Sequence, residues 1–275
     1  MTQHYIMSPL PRAASLFVNT LKMNVHRRLY EAKKPESAIV TPVFISREQR
    51  RNFLAQAEIY LQSCPLVNFN ERDVALWLVR GAGEDGEFSN RIPDGAGEQQ
   101  VLYIQGHGAP GKAALADEAG SVIVDLEGIA DALKAIDAIP TEITLKCNSC
   151  YSGVDDFPVF DSFGAVREWL NTESRVSPFY TGNSLAAGLR NILRRHRGNI
   201  FGYLGPTAMN NSLLLMQPDG NYAYDPHMAV ALGYRDAFGN VNYFYVRKSQ
   251  ARVLFRPQRE REDEALGRDL GLVDD

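Results

Sequence analysis

Cysteine is nearly absent from this chain: three occur in 275 residues, at Cys64, Cys147 and Cys150. So small and odd a number cannot build a disulfide framework, and it points to a reducing compartment where thiols stay free. Long apolar runs are missing too. Runs such as residues 74–79 and 213–216 are strand-sized and far short of the roughly 18 residues that a membrane helix needs. Neither sign of charge dominates: 29 Lys and Arg face 33 Asp and Glu, a formal net charge of −4. No overall basic field therefore invites nucleic acid. Acid is missing locally, because no acidic residue precedes Glu31 while Arg12, Lys22, Arg27 and Arg28 do. Pro9, Pro11, Arg12 and Asn19 break up the apolar residues of the same stretch, which excludes a secretory-signal pattern and leaves a cytoplasmic protein as the expectation. No internal repeat or low-complexity tract is present.

What is present suits a globular chain: 45% hydrophobic and 23% charged residues, enough length to bury a core without disulfides or metal. Phe17, Leu21, Val25 and Leu29 recur every four residues, the spacing of an amphipathic helix. Lys-Pro-Glu-Ser at 34–37 reads as a break. It divides the chain into an N-terminal leader or amphipathic helix (1–37), a main domain (38–258) and a charged tail (259–275), read as a surface helix. Within the main domain, strands are expected at 38–45, 74–79, 101–105, 141–147 and 199–204. Helices are expected at 47–61, from Leu126, at 163–170 and at 185–195. Such alternation implies an α/β fold with a mostly parallel central sheet and helices on both faces. Pro218-Asp219-Gly220-Asn221 and Phe238-Gly239-Asn240 are turn signals, so C-terminal β-hairpins are expected to extend that sheet.

One unit carries the chemistry: strand 101–105, a loop with His107, a helix from Leu126, strand 141–147, and a loop with Cys150. A right-handed βαβ crossover makes its two strands parallel in one sheet. Both loops then leave the carboxyl edge, where open α/β sheets place their sites. The topology thus brings together two residues separated by 43 positions. A free thiol has a pKa near ~8.5 and needs help to ionise at neutral pH; an imidazole can take its proton. Gly106, Gly108 and Gly153 would let a substrate backbone approach, and backbone N–H groups of Gly108 and Cys150 are candidate oxyanion donors.

At these residues the sequence resembles the caspase-like (clan CD) cysteine peptidases: caspases, metacaspases and the autoprocessing protease domains of large bacterial toxins. Leu102-Tyr103-Ile104-Gln105-Gly106-His107-Gly108 looks like their strand followed by Gly-His-Gly. Asn148-Ser149-Cys150-Tyr151-Ser152-Gly153 is similar to their nucleophile motif, and the spacing suits the His about ~50 residues before the Cys. The resemblance implies a caspase-like fold and a cysteine endopeptidase, with His107 as general base and Cys150 as nucleophile, acting on a protein or peptide without a required cofactor or metal. It also implies substrate contacts near the nucleophile. Metacaspases carry an Asp two residues before it to bind a basic side chain; here that position is Asn148, with Asp155 and Asp156 able to supply the charge. The toxin domains place their nucleophile closer to its strand, so Cys147 stands as a rival. They also imply inositol hexakisphosphate as an activator, for which Arg190, Arg194, Arg195, Arg197 and Arg247, Lys248, Arg252, Arg256 form two basic clusters. A bacterial effector delivered into a host cell is consistent with that likeness.

Three other readings remain open at this point. Gly106-His107-Gly108-Ala109-Pro110-Gly111 satisfies the dinucleotide pattern G-x-G-x-x-G after a strand, with Asp125 or Glu127 near the ribose-binding distance, although Pro110 and Gly120 interrupt the helix that should follow. Cys147-x-x-Cys150 could be a redox pair. A zinc site lacks its second half, since His4, His26, His196 and His227 are scattered. The third is a non-catalytic binding protein that keeps the caspase-like fold.

Overall fold

The structure is a computed structural model that describes residues 2–13, 15–31, 39–63, 69–84, 86–94, 99–172, 176–208, 214–216, 222–224 and 229–257. Its centre is β3 (Gln100–Gln105), whose Val101, Leu102, Tyr103 and Ile104 are all buried. A strand apolar on both faces belongs inside a parallel sheet covered from both sides. On one flank β3 pairs in parallel with β1 (Gln3–Met7), which pairs in parallel with β2 (Val40–Pro42). On the other flank it pairs in parallel with β6 (Thr144–Asn148), and β6 pairs in parallel with β8 (Ile200–Tyr203). The antiparallel strand β14 (Arg252–Phe255) closes that edge. The result is a mostly parallel six-stranded sheet in the order β14-β8-β6-β3-β1-β2.

Six helices are described. α1 (Ser15–Glu31), α2 (Arg47–Ser63) and α3 (Phe69–Ala82) cover one face. There Leu16, Phe17, Phe53, Val74 and Leu78 pack with Ile6, Val40, Val101 and Tyr103. α4 (Leu126–Ala135) and α6 (Leu185–Ile192) cover the other, where Ile129, Leu133, Leu185 and Leu189 pack with Leu102, Ile104, Leu145 and Ile200. Each of these two helices starts at a side-chain cap: Asp125 accepts from the Gly128 N–H at 2.9 Å, and Ser184 from the Ala187 N–H at 3.3 Å. α5 (Phe163–Asn171) lies against a second sheet and is capped in the same way by Ser162.

Two expectations need correction, and one with two alternatives is narrowed. Residues 74–79 form part of α3 and not a buried strand: Val74, Ala75, Leu78 and Ala82 are buried at helical spacing. A short apolar run cannot be assigned by its composition alone. Secondly, of the leader or amphipathic helix expected over 1–37, residues 15–31 form the helix, α1. β1 lies between β2 and β3, and α1 buries Phe17, Leu21 and Val25 as its spacing implied. Asn24 of α1 locks this in, donating to the Val40 carbonyl and accepting from the Val40 N–H, each at 2.8 Å. Thirdly, the C-terminal hairpins do not extend the central sheet. β12 (Ala229–Arg235) and β13 (Val241–Arg247) pair antiparallel around the turn at 238–240. They build a separate sheet with β7 (Val159–Phe160), β9 (Thr207–Ala208), β10 (Leu214–Met216) and β11 (Tyr222–Tyr224). Only β14 returns to the central one. The turn at 218–221 and the tail at 259–275 lie outside the described residues.

A further hairpin, β4 (Ala114–Ala116) with β5 (Ile123–Asp125), follows the Gly-His-Gly turn. No helix among the described residues is long and apolar enough to cross a membrane.

Candidate active site

β3 and β6 are neighbours in register, with Ile104 opposite Cys147 and Gln105 opposite Asn148. Their next residues, Gly106-His107-Gly108 and Ser149-Cys150, therefore leave the same edge side by side. The contact is close. A Cβ added at Gly108 would lie 2.6 Å from the Cys150 carbonyl oxygen and 2.9 Å from Ser149 Oγ, so only glycine fits there.

His107 is exposed, and its backbone is pinned by a two-way bridge to Ala116: each N–H donates to the other's carbonyl at 2.9 Å. The hairpin that supplies Ala116 also brings Glu118 into the electrostatic neighbourhood of His107. Burial opposes ionisation of Glu118, but hydrogen bonding to Ser15 at the start of α1 and the nearby imidazole outweigh it and hold its carboxyl low. The Ser15 N–H donates to Glu118 Oε1 at 2.7 Å. Nothing in the sequence singled out Glu118, because its anchor is 103 residues away.

Cys150 is half-buried on a tight turn. The turn is built by a Ser149 N–H to Cys147 carbonyl bond of 2.8 Å and by Tyr151, which holds a left-handed φ of 53°. Such a conformation in a non-glycine residue costs about 1–3 kcal/mol and persists only where surrounding contacts impose it. Ser152 provides those contacts. Its buried hydroxyl donates to the Cys147 carbonyl at 2.7 Å, lies 3.1 Å from the Ser149 carbonyl, and accepts from the Tyr203 N–H at 3.1 Å. Gly153 is pressed against the Gly202 backbone, where an added Cβ would come within 3.0 Å. It is committed to packing between β8 and this loop.

The two cysteines have opposite settings. Cys147 is fully buried in β6 among Leu102, Ile129 and Leu185, and burial pushes its thiol up to about 12. A thiol so held is a small apolar side chain. Cys150 keeps solvent access.

The expected substrate contacts divide three ways. Asn148 is buried at 1% exposure, its Nδ2 donating to Gln105 Oε1 at 2.5 Å and its Oδ1 accepting from Lys248 Nζ. Its amide is spent inside the protein. Asp155 accepts from Asn183 through the backbone N–H at 2.8 Å and through Nδ2 at 3.0 Å, which joins the nucleophile loop to the residues before α6. Asp156 is exposed and accepts from the Phe157 N–H at 2.7 Å. Lys248, one member of the expected basic clusters, is buried with Nζ 4.4 Å from the Tyr203 ring centre.

The residues of the two expected basic clusters have several settings. Arg190 is buried and donates to the carbonyls of His196 and Gly198. Arg252 lies over the Phe201 ring at 4.8 Å. Arg194, Arg195 and Arg197 line a cleft of about 950 Å³ with Thr141 and Thr144, at the start of β6. Lys248 contacts Asn148 at the opposite end of that strand. The dinucleotide pattern lacks its context as well, since the chain after Gly111 enters β4 and β5 and no helix begins until Leu126. Among the described residues no group of three or more His, Cys, Asp or Glu could hold a metal ion.

No protein-family model, curated protein or solved structure matches this chain.

Proposed function

We propose that this chain is a cysteine endopeptidase of the caspase-like kind, with Cys150 as nucleophile and His107 as general base. The observation that carries the reading is the pairing of β3 with β6, which sets Gly108 against the Cys150 carbonyl at one sheet edge. In the proposed reaction the His107 imidazole takes the Cys150 thiol proton, and Sγ attacks the carbonyl carbon of the scissile peptide. The tetrahedral oxyanion would take hydrogen bonds from the Gly108 and Cys150 backbone N–H groups. Collapse expels the amine, which leaves with the proton that His107 carries, and water then hydrolyses the thioester. Glu118 adds a carboxylate to the electrostatic surroundings of His107. Asp156, being exposed, is the acid best placed to meet a basic side chain of the substrate.

The test is labelling by a thiol-reactive peptide probe together with turnover of a peptide library. Cys150→Ala should abolish both, and Cys147→Ala should preserve most of each. His107→Ala should remove most turnover, since a positioned base contributes about 10² to 10⁴ in rate, without lowering the melting temperature. Full turnover by a folded His107→Ala variant would end the reading.

A further inference from the structure

β14 runs antiparallel to β8, with Phe255 opposite Ile200. The chain that continues past Phe255 therefore leaves the sheet at its amino edge, away from Cys150, and Pro257 forms part of the wall of the cleft found there. Arg194, Arg195 and Arg197 line that cleft of about 950 Å³, and all three are exposed. Among the described residues the only carboxylate lining it is that of Glu142. This carboxylate lies 3.7 Å from Arg197 Nη1 with both side chains 80% exposed, so the pair is worth little. One acid thus stands against three guanidinium groups. The sequence that follows has the opposite character. Residues 258–275 hold seven acids and three arginines, and four of those acids, Glu260, Glu262, Asp263 and Glu264, fall within five positions. Glu260 is three residues beyond Pro257 and Glu264 seven, a reach of at most about 10 to 25 Å, enough to bring their carboxylates over the cleft.

We propose that this cleft is a docking site for acidic polypeptide, and that its occupant is the chain's own segment 260–264, held by Arg194, Arg195 and Arg197. Guanidinium groups take carboxylates through paired N–H donors. Tethering through Pro257 makes the contact intramolecular, so individually weak pairs act at a high effective concentration. The contact fastens the end of β14, the strand that closes the sheet beside β8. It lies at the opposite end of β6 from Cys150 and is independent of the peptidase reading.

Two measurements on the full chain decide it. The first is carbodiimide cross-linking of Arg195→Lys, which puts into the cleft an amine able to form an amide with a carboxylate that touches it. Peptide mass mapping of the monomer should find position 195 joined to acids of the segment 260–264. Absence of that cross-link, or its formation only between two copies, would overturn the proposal. The second is the rate at which a glutamate-specific protease cuts after Glu264, in the wild type and in the triple variant Arg194→Gln/Arg195→Gln/Arg197→Gln. Loss of three exposed charge contacts should speed the cut about tenfold. The difference should shrink in about 0.5 M NaCl, which screens such contacts. Equal rates at low salt would sink the proposal, and so would a difference that salt leaves unchanged, because it would not come from charge pairing.

Discussion

The side-chain amides of Gln105 and Asn148 meet at 2.5 Å across the paired ends of β3 and β6. One residue later the chain enters Gly-His-Gly on one side; two later it reaches Cys150 on the other. The bond closes the seam between the strands just below the candidate dyad. It leaves the Asn148 oxygen free for Lys248, so a single amide joins both strands to the turn after β13.

Asn148→Ala should therefore cost more stability than its size suggests. It leaves the buried Lys248 amine without its acceptor and the Gln105 oxygen without its donor, each worth about 1–3 kcal/mol. Urea unfolding of Asn148→Ala and Gln105→Ala would compare them, and the first should lose more, because Gln105→Ala keeps the Lys248 bond.

Gly108→Ala tests how closely the two loops must fit. The new methyl would start 2.6 Å from the Cys150 carbonyl oxygen, and that contact is backbone, which cannot swing aside. A folded variant with its loops displaced should lose about 10²-fold in probe labelling. Labelling at the wild-type rate would show that this contact does not set the nucleophile's position.

Alkylation should discriminate between the two described cysteines. With its thiol pushed up to about 12 by burial, Cys147 should resist iodoacetamide at pH 8 until denaturant is added. Cys150 should react in the native protein. Native modification of Cys147 in preference to Cys150 would exchange their roles.

Acid should weaken the protein through His196, which is 1% exposed. Burial first, and then the Arg190 guanidinium, push it down to about 4. Its Nε2 faces the Ile143 carbonyl at 3.0 Å while Nδ1 accepts from the Thr141 N–H at 3.4 Å, an arrangement that suits the neutral ring. The unfolded chain takes up its proton near pH 6.5 and the native one only near 4, so stability is lost as pH falls through that window. The loss amounts to roughly 3 kcal/mol. Urea midpoints at pH 7, 5.5 and 4 should show it, and His196→Gln should flatten the decline. An unaltered decline in that variant would place the titration elsewhere.

Local patterns in the sequence determined a good deal. Residues 101–105 and 141–147 announce themselves as buried strands, and a helix is expected between them from Leu126. From those alone follow the adjacent parallel pairing of β3 and β6 and the shared edge for His107 and Cys150. The apolar run 74–79 failed because burial on several sides looks alike in a strand and in an interior helix. Strand order beyond that unit was decided by tertiary structure: β1 enters the middle of the sheet, and β12 and β13 leave it for another. Pairing partners depend on which faces remain to be buried once the rest has packed, and no local window contains that information. The same holds for the groups around the nucleophile. Glu118 reaches His107 on a hairpin anchored to α1, and Lys248 reaches Asn148 across 100 residues of sequence. The protonation behaviour of Cys147 and His196 comes from exclusion of water, which is a property of the folded interior and of no residue type.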